Sequence, residues 1–215
     1  MTSLIRYVKY AAVIAALISS APSGAQSLDE LLKAANQGDV STVSAYLEKG
    51  LDPNTTDAEG NTLLMLATRG DHEDLVKVLI RWKASPGRRN AYGDTPLMAA
   101  CLDGFLDVAK LLVAAGAQVD GPGWTPLHYA AFDGRADIVR YLLDIGANKD
   151  ALAPNGYSAL MLAVRNGHPD AVRALLERAP DLSIKGQRGE TALSIATQRG
   201  ERELAEMLRR AGAVR

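Results

Sequence analysis

Two stretches indicate the fold, GDTPLMAACLDG at Gly93–Gly104 and GWTPLHYAAFDG at Gly123–Gly134. The second is a variant of the first, so the chain contains a repeated unit. Each places Thr-Pro-Leu two residues after a glycine, continues with small apolar residues and ends on Asp-Gly. Threonine before an apolar run is a preferred helix N-cap, and proline is tolerated next because its missing N–H needs no partner there. Both stretches therefore predict a short helix that begins directly after the threonine.

Three further copies lack the proline: GNTLLMLATRG, GYSALMLAVRNG and GETALSIATQRG. The aligned hydroxyl residues are Thr62, Thr95, Thr125, Ser158 and Thr191, so the copies are spaced by 33, 30, 33 and 33 residues. A second apolar segment, such as DVAKLLV or DIVRYLL, follows each copy and often ends at a Gly-Ala pair. One pair of such short helices cannot bury both of its faces, so the units must stack on one another.

The repeated unit resembles the ankyrin repeat, in which a β-turn finger precedes two antiparallel helices. The resemblance covers residues 27–215, where Ser27–Asp57 is an N-terminal copy without the Thr-Pro entry. It implies an all-α ankyrin-repeat solenoid of about six helix-turn-helix repeats with β-turn fingers. The expected repeats span about 27–57, 58–90, 91–120, 121–153, 154–186 and 187–215.

Two departures from the pattern predict local differences. Lys83 and Ala179 stand where glycine ends the second helix in other copies, and a side chain held there at positive φ costs roughly 1 kcal/mol. Between Val119 and Trp124 only Asp-Gly-Pro-Gly remains, three residues fewer than the other copies allow. We therefore expect a shortened finger beside Trp124.

Residues 1–25 differ from the repeats and have the pattern of a bacterial secretory signal peptide. Arg6 and Lys9 precede an uncharged run at 11–21, and Ser23 and Ala25 occupy the −3 and −1 positions of a cleavage site before Gln26. We expect a cleaved signal, a periplasmic or secreted protein, and no stable membrane insertion after cleavage. The alternative is an uncleaved anchor, although an apolar run this short does not reach the ~20 residues that a spanning helix needs.

Composition excludes several classes of function. The formal net charge is −1, and no basic cluster with interleaved aromatic residues occurs, so we expect no nucleic-acid partner. Cys101 is the sole cysteine, which rules out an intramolecular disulfide, and its helical position predicts a buried apolar side chain. We expect a monomer.

The sequence contains no candidate for a catalytic residue. The resemblance implies structural hydrogen bonding for His72, His128 and His168. No serine or cysteine has a histidine at a recurring nucleophile–base spacing, and neither a glycine-rich phosphate loop nor an HExxH helix occurs. We predict a protein that is not an enzyme and that has no catalytic residue, metal, cofactor or small-molecule substrate.

The resemblance also implies that partners bind in a concave groove lined by the finger tips and the exposed ends of the first helices. Large apolar residues concentrate at those positions in the middle three repeats, next to charged ones, which is typical of a binding hot spot with a polar rim. The candidate partner-binding residues are Tyr92, Leu102, Asp103, Trp124, Phe132, Asp133, Tyr157 and Arg165. As an alternative, Trp124 covers the shortened finger and packs on Pro122 or Tyr157.

Three functions remain as hypotheses. The first is a non-enzymatic periplasmic module that holds an unidentified protein partner in its groove; similar bacterial periplasmic ankyrin proteins are linked to catalase function and oxidative-stress protection. The second is an inhibitor or immunity-type protein that blocks a toxin or hydrolase. The third, an enzyme, would need catalytic residues that the sequence does not reveal.

Overall fold

The computed structural model describes residues 24–214, so all but the last two residues of the predicted signal peptide lie outside the described part. The first helices of six successive pairs are α1 (Gly24–Gln37), α3 (Leu63–Arg69), α5 (Pro96–Asp103), α7 (Pro126–Phe132), α9 (Ala159–Arg165) and α11 (Ala192–Arg199). The second helices are α2 (Val40–Glu48), α4 (Glu73–Arg81), α6 (Leu106–Ala114), α8 (Ala136–Asp144), α10 (Pro169–Leu176) and α12 (Arg202–Arg210). Within residues 24–214 the only β pairing is an isolated bridge between Thr56 and Thr62, which confirms the all-α fold class.

The first helices begin where the hydroxyl residues predict. The N-caps of α3, α5, α7, α9 and α11 are Thr62, Thr95, Thr125, Ser158 and Thr191. The Thr62 hydroxyl accepts a hydrogen bond from the Met65 N–H at 3.2 Å, which pairs one of the N–H groups that a helix start leaves free. The predicted helix register is therefore confirmed.

The helices form two stacked layers. Each first helix packs on the first helix of the next pair, and each second helix packs on the neighbouring second helix. The leucine two positions after the N-cap is fully buried in successive copies, as at Leu64, Leu97 and Leu127, and Cys101 is also buried. Burial raises the pKa of the Cys101 thiol, as expected for the inert apolar side chain that the sequence predicts.

The second helices end in left-handed residues, including the two that are not glycine. Lys83 has φ 65° and Ala179 has φ 47°, compared with φ 90° at Gly116. A β-carbon makes this conformation unfavourable, so both positions carry backbone strain that glycine would remove.

At the left-handed residue that ends a second helix, we predict that introducing glycine stabilises the protein and that replacing glycine destabilises it. Lys83→Gly should raise the free energy of unfolding by up to about 1 kcal/mol, and Gly116→Ala should lower it by a similar amount. A β-carbon at Gly116 would meet no atom within 4 Å, so its cost comes from the backbone alone. Denaturant unfolding of both variants checks this, and a shift of the same sign in both would contradict it.

The fingers differ in the way that the chain length predicts. We number them by repeat: finger 2 (residues 57–61), finger 3 (90–94), finger 4 (120–124), finger 5 (153–157) and finger 6 (186–190). Finger 3 is closed by two backbone hydrogen bonds, from the Asn90 N–H to the Asp94 carbonyl and from the Gly93 N–H to the Asn90 carbonyl, and fingers 2, 5 and 6 repeat both bonds. Among the described residues, finger 4 alone of these five lacks both bonds. The segment from Ala117 to Thr125, which includes finger 4, is three residues shorter than the equivalent segment from Ala84 to Thr95, as predicted.

The sixth repeat has a polar outer surface. The exposed positions of α12 carry Arg202, Glu203, Glu206, Arg209 and Arg210, as a terminal repeat requires when its outer face meets water. None of the helices in residues 24–214 combines the length and apolar character needed to cross a bilayer.

Candidate protein-binding surface

Two aromatic side chains of α7 pack against the Trp124 ring, which lies just before the helix. The Trp124 ring centroid lies 5.5 Å from that of Tyr129 and 6.3 Å from that of Phe132, and the buried His128 ring is 5.8 Å away. Trp124 precedes the N-cap Thr125, and Tyr129 is the fourth residue of the helix, so their contact is a hydrophobic staple that fixes how the chain enters α7. We call Trp124, Tyr129 and Phe132 the aromatic patch.

The patch and the neighbouring finger 3 expose apolar surface. The exposed fraction of Phe132 is 43% and that of Tyr92, near the tip of finger 3, is 72%. Trp124 and Leu102 are half-buried. The described ring contacts of Trp124 are with side chains of its own repeat, and none is with Tyr157. Packing of Trp124 on Pro122 stays a prediction, and so does the role of Trp124 in binding.

Tyr129 joins the patch to the preceding repeat, and the sequence analysis missed it. Its hydroxyl donates a hydrogen bond to the carboxylate of Asp94 on finger 3. Burial and the nearby Asp94 charge raise the pKa of Tyr129, so the phenol stays protonated and keeps this bond. An aromatic residue at the fourth helical position after a tryptophan was the available signal.

Tyr157 corrects the expectation of an exposed aromatic residue. Its side chain is only 9% exposed, because its hydroxyl donates to Glu190 at 2.5 Å and the Arg165 guanidinium lies 5.6 Å from its ring centroid. The hydrogen bond with Glu190 raises the pKa of Tyr157 and lowers that of Glu190. Arg165 is itself exposed. Whether either residue contributes to partner binding stays a prediction.

Charged residues at the ends of α5 and α7 form a rim beside the patch. Asp133 pairs with the Arg135 guanidinium at 2.5 Å, and Arg135 also donates to the Leu102 carbonyl at 3.0 Å. Asp103 is half-buried, and burial raises its pKa against the opposing charges of Arg69 and Arg135. A polar rim around an apolar centre is typical of protein interfaces.

The three histidines make structural hydrogen bonds, as predicted. The buried His128 accepts the Thr125 N–H on Nδ1 at 3.1 Å, so its Nε2 carries the proton that faces the Ala151 and Tyr157 carbonyls at 3.1 and 3.2 Å. Burial lowers the pKa of His128, which favours this neutral form. His72 and His168 each place Nε2 3.0 Å from a carbonyl of the preceding repeat. Within residues 24–214 no group of three His, Cys, Asp or Glu side chains could hold a metal ion.

Comparisons with known proteins agree with this architecture. The family profile described as "Ankyrin repeats (3 copies)" matches residues 31–122, 83–153, 117–186 and 145–214. A crystal structure of an ankyrin repeat domain from Acinetobacter baumannii superposes with a TM-score of 0.78 at 28% identity, over 86% of this chain and 98% of that one.

Curated relatives match over shorter lengths. Glycerophosphocholine phosphodiesterase gde1 of Schizosaccharomyces pombe is 38% identical over 86 residues, which are 38% of this chain and 8% of that protein. Protein phosphatase 1 regulatory subunit 27 of Mus musculus is 41% identical over 85 residues, 39% of this chain and 55% of that protein. The chain therefore spans less than two thirds of either relative.

Proposed function

The chain belongs to the ankyrin-repeat family, whose repeats mediate protein–protein interaction, and we propose that it is a non-enzymatic module whose protein partner docks on the aromatic patch and on Tyr92 of finger 3. One observation carries the proposal. Three aromatic rings are packed together beside a charged rim, with Phe132 43% exposed and Tyr92 72% exposed on the adjoining finger. Exposed aromatic residues of this kind dominate the binding energy of protein interfaces.

The patch is also held in place before a partner arrives. Trp124 is fixed by its packing on Tyr129, and Tyr129 is fixed by its hydrogen bond to Asp94. Side chains that are already ordered lose less conformational entropy on binding, so more of their contact energy contributes to affinity.

The proposal includes no catalytic step, because the groups that could perform one have structural roles. Cys101 is buried with a raised pKa, and both ring nitrogens of His128 are occupied by hydrogen bonds. The named activity of the yeast phosphodiesterase stays with that protein, since the match covers 8% of its length.

Affinity capture from extract, followed by mass spectrometry, tests the proposal. The bait proteins are the wild-type chain, Trp124→Ala, and Trp82→Ala as a matched control. Trp82 caps the second helix α4 and is 42% exposed, so it offers an exposed tryptophan that does not belong to the patch. The wild type and Trp82→Ala should capture the same partner, and Trp124→Ala should lose it. Equal capture by all three would place the partner elsewhere, such as on the outer faces of the second helices.

We further propose that the protein is exported and acts in the periplasm or outside the cell. Arg6 and Lys9, the uncharged run at 11–21, and the small residues Ser23 and Ala25 support removal of residues 1–25. N-terminal sequencing of the secreted or periplasmic form should start at Gln26. A chain that retains Met1 in the membrane fraction would contradict this.

A further inference from the structure

The full-length fingers are joined into a hydrogen-bonded row. The Ala91 N–H, at the second position of finger 3, donates to the Glu59 carbonyl at the third position of finger 2, at 2.9 Å. The Gln187 N–H of finger 6 donates to the Asn155 carbonyl of finger 5 in the same register, at 3.4 Å. Fingers 3 and 6 thus each pair their backbone with the finger before them.

This row is interrupted on both sides of finger 4. The register assigns the Tyr92 carbonyl as acceptor for finger 4, yet no backbone hydrogen bond joins fingers 3 and 4 among the described residues. The corresponding donor of finger 5 would be Pro154, which has no N–H to offer to finger 4. We call this interruption the finger break.

The break leaves open space as well as unpaired backbone groups. In the joined fingers, a β-carbon at Gly60 would lie 3.3 Å from the Ala91 nitrogen, and one at Gly156 would lie 3.1 Å from the Gln187 nitrogen. The equivalent Gly93 and Gly123, on fingers 3 and 4, would meet no atom within 4 Å. The next finger therefore does not approach them. The Arg89 guanidinium does lie at the edge of the break, where it donates to the Gly93 carbonyl at 2.5 Å and would be 3.8 Å from a β-carbon at Gly121.

The surroundings of the break are apolar, with an excess of negative charge. Tyr92 is 72% exposed on one side, and Leu152, which precedes finger 5, is 50% exposed on the other. Residues 88–104 and 120–134 hold two basic side chains, both arginines, and four carboxylates: Asp94, Asp103, Asp120 and Asp133. Asp133 is paired with Arg135, just beyond these residues. Asp94 accepts the Tyr129 hydroxyl, and both oxygens of Asp120 face the Asn148 N–H.

We propose that the finger break is the docking slot for an extended segment of the partner, which donates a backbone N–H to the Tyr92 carbonyl, packs an apolar side chain on the aromatic patch, and places a basic side chain beside Asp94. The proposal rests on the proposed function and names the chemistry of the partner. An extended segment has free backbone groups to pair, as when a peptide adds to a sheet edge, whereas a helix has already used its own. The segment continues the row that already joins fingers 2 to 3 and 5 to 6.

A variant with a full-length finger 4 tests the slot. Gly121–Gly123 is replaced by the six residues Ala-Leu-Ala-Gln-Asn-Gly, which copy residues 151–156 with glutamine in place of Pro154. This restores the missing three residues and supplies an N–H for the Tyr92 carbonyl without adding charge. Random linear peptides displayed on phage are selected on the wild-type protein. The selected peptides should combine apolar with basic residues and should bind the full-length-finger variant at least about tenfold more weakly.

Two further measurements separate the possible failures. Trp82→Ala should bind the selected peptides as the wild type does, and a scan of N-methylated peptides on wild-type protein should show one position whose methylation costs at least about tenfold. The N-methyl scan does not depend on how the finger variant folds, and circular dichroism checks that variant.

If Trp124→Ala loses binding but the finger variant and every N-methylated peptide keep it, the slot is wrong and the proposed function stands. If all of them keep it, both proposals are wrong. A library that yields no peptide able to bind the wild-type protein would also contradict the proposed docking slot.

Discussion

Leu127→Ala should lower the free energy of unfolding by about 2–5 kcal/mol. Leu127 is 1% exposed in α7, which packs between α5 and α9, so the truncation removes buried apolar surface and leaves a cavity that neighbours on both sides must fill. Denaturant unfolding followed by circular dichroism measures the change. Leu152→Ala is the matched control, because that leucine is 50% exposed and should cost less than about 0.5 kcal/mol. Equal shifts in the two variants would contradict the burial of Leu127 in the core.

Trp124→Ala should weaken partner binding by about 2 kcal/mol or more, which is roughly 30-fold in Kd. The reason is that Trp124 touches both of the other rings of the aromatic patch, so the substitution removes contact area and also loosens Phe132.

The same change should cost about 1 kcal/mol in stability, since it removes the packing of Trp124 on Tyr129. Phe132→Ala separates the effect on binding from the effect on stability better, because Phe132 is 43% exposed and lies at the end of α7 rather than at its start. It should lose affinity with a smaller change in the free energy of unfolding.

Local rules explain why much of the fold could be predicted from the sequence. A hydroxyl residue before an amphipathic apolar run favours a helix start, and Thr95 and Thr125 begin helices here. The left-handed conformation of Lys83 and the shortened finger 4 follow from alignment of the copies, because stacked repeats must keep the same backbone path. Each of these predictions depends on a few adjacent residues or on chain length.

The surface was harder to predict because its side chains are positioned by other repeats. Tyr157 is buried by Glu190, 33 residues later, and Tyr129 is held by Asp94, 35 residues earlier. Composition at one position cannot reveal such partners. The spacing did contain a signal, since Tyr157 and Glu190 occupy equivalent positions in adjacent repeats and stacking brings those positions together. The break in the finger row likewise depends jointly on the length of finger 4 and on Pro154.

The central claim is that a protein partner docks on the aromatic patch, and titration calorimetry of the captured partner tests it most directly. The Kd is measured for the wild type, Trp124→Ala, Phe132→Ala and Trp82→Ala, with circular dichroism showing that each variant is folded. We predict a Kd at least about 30-fold higher for Trp124→Ala, a clearly higher Kd for Phe132→Ala, and an unchanged Kd for Trp82→Ala. The same Kd for all four proteins would contradict the claim.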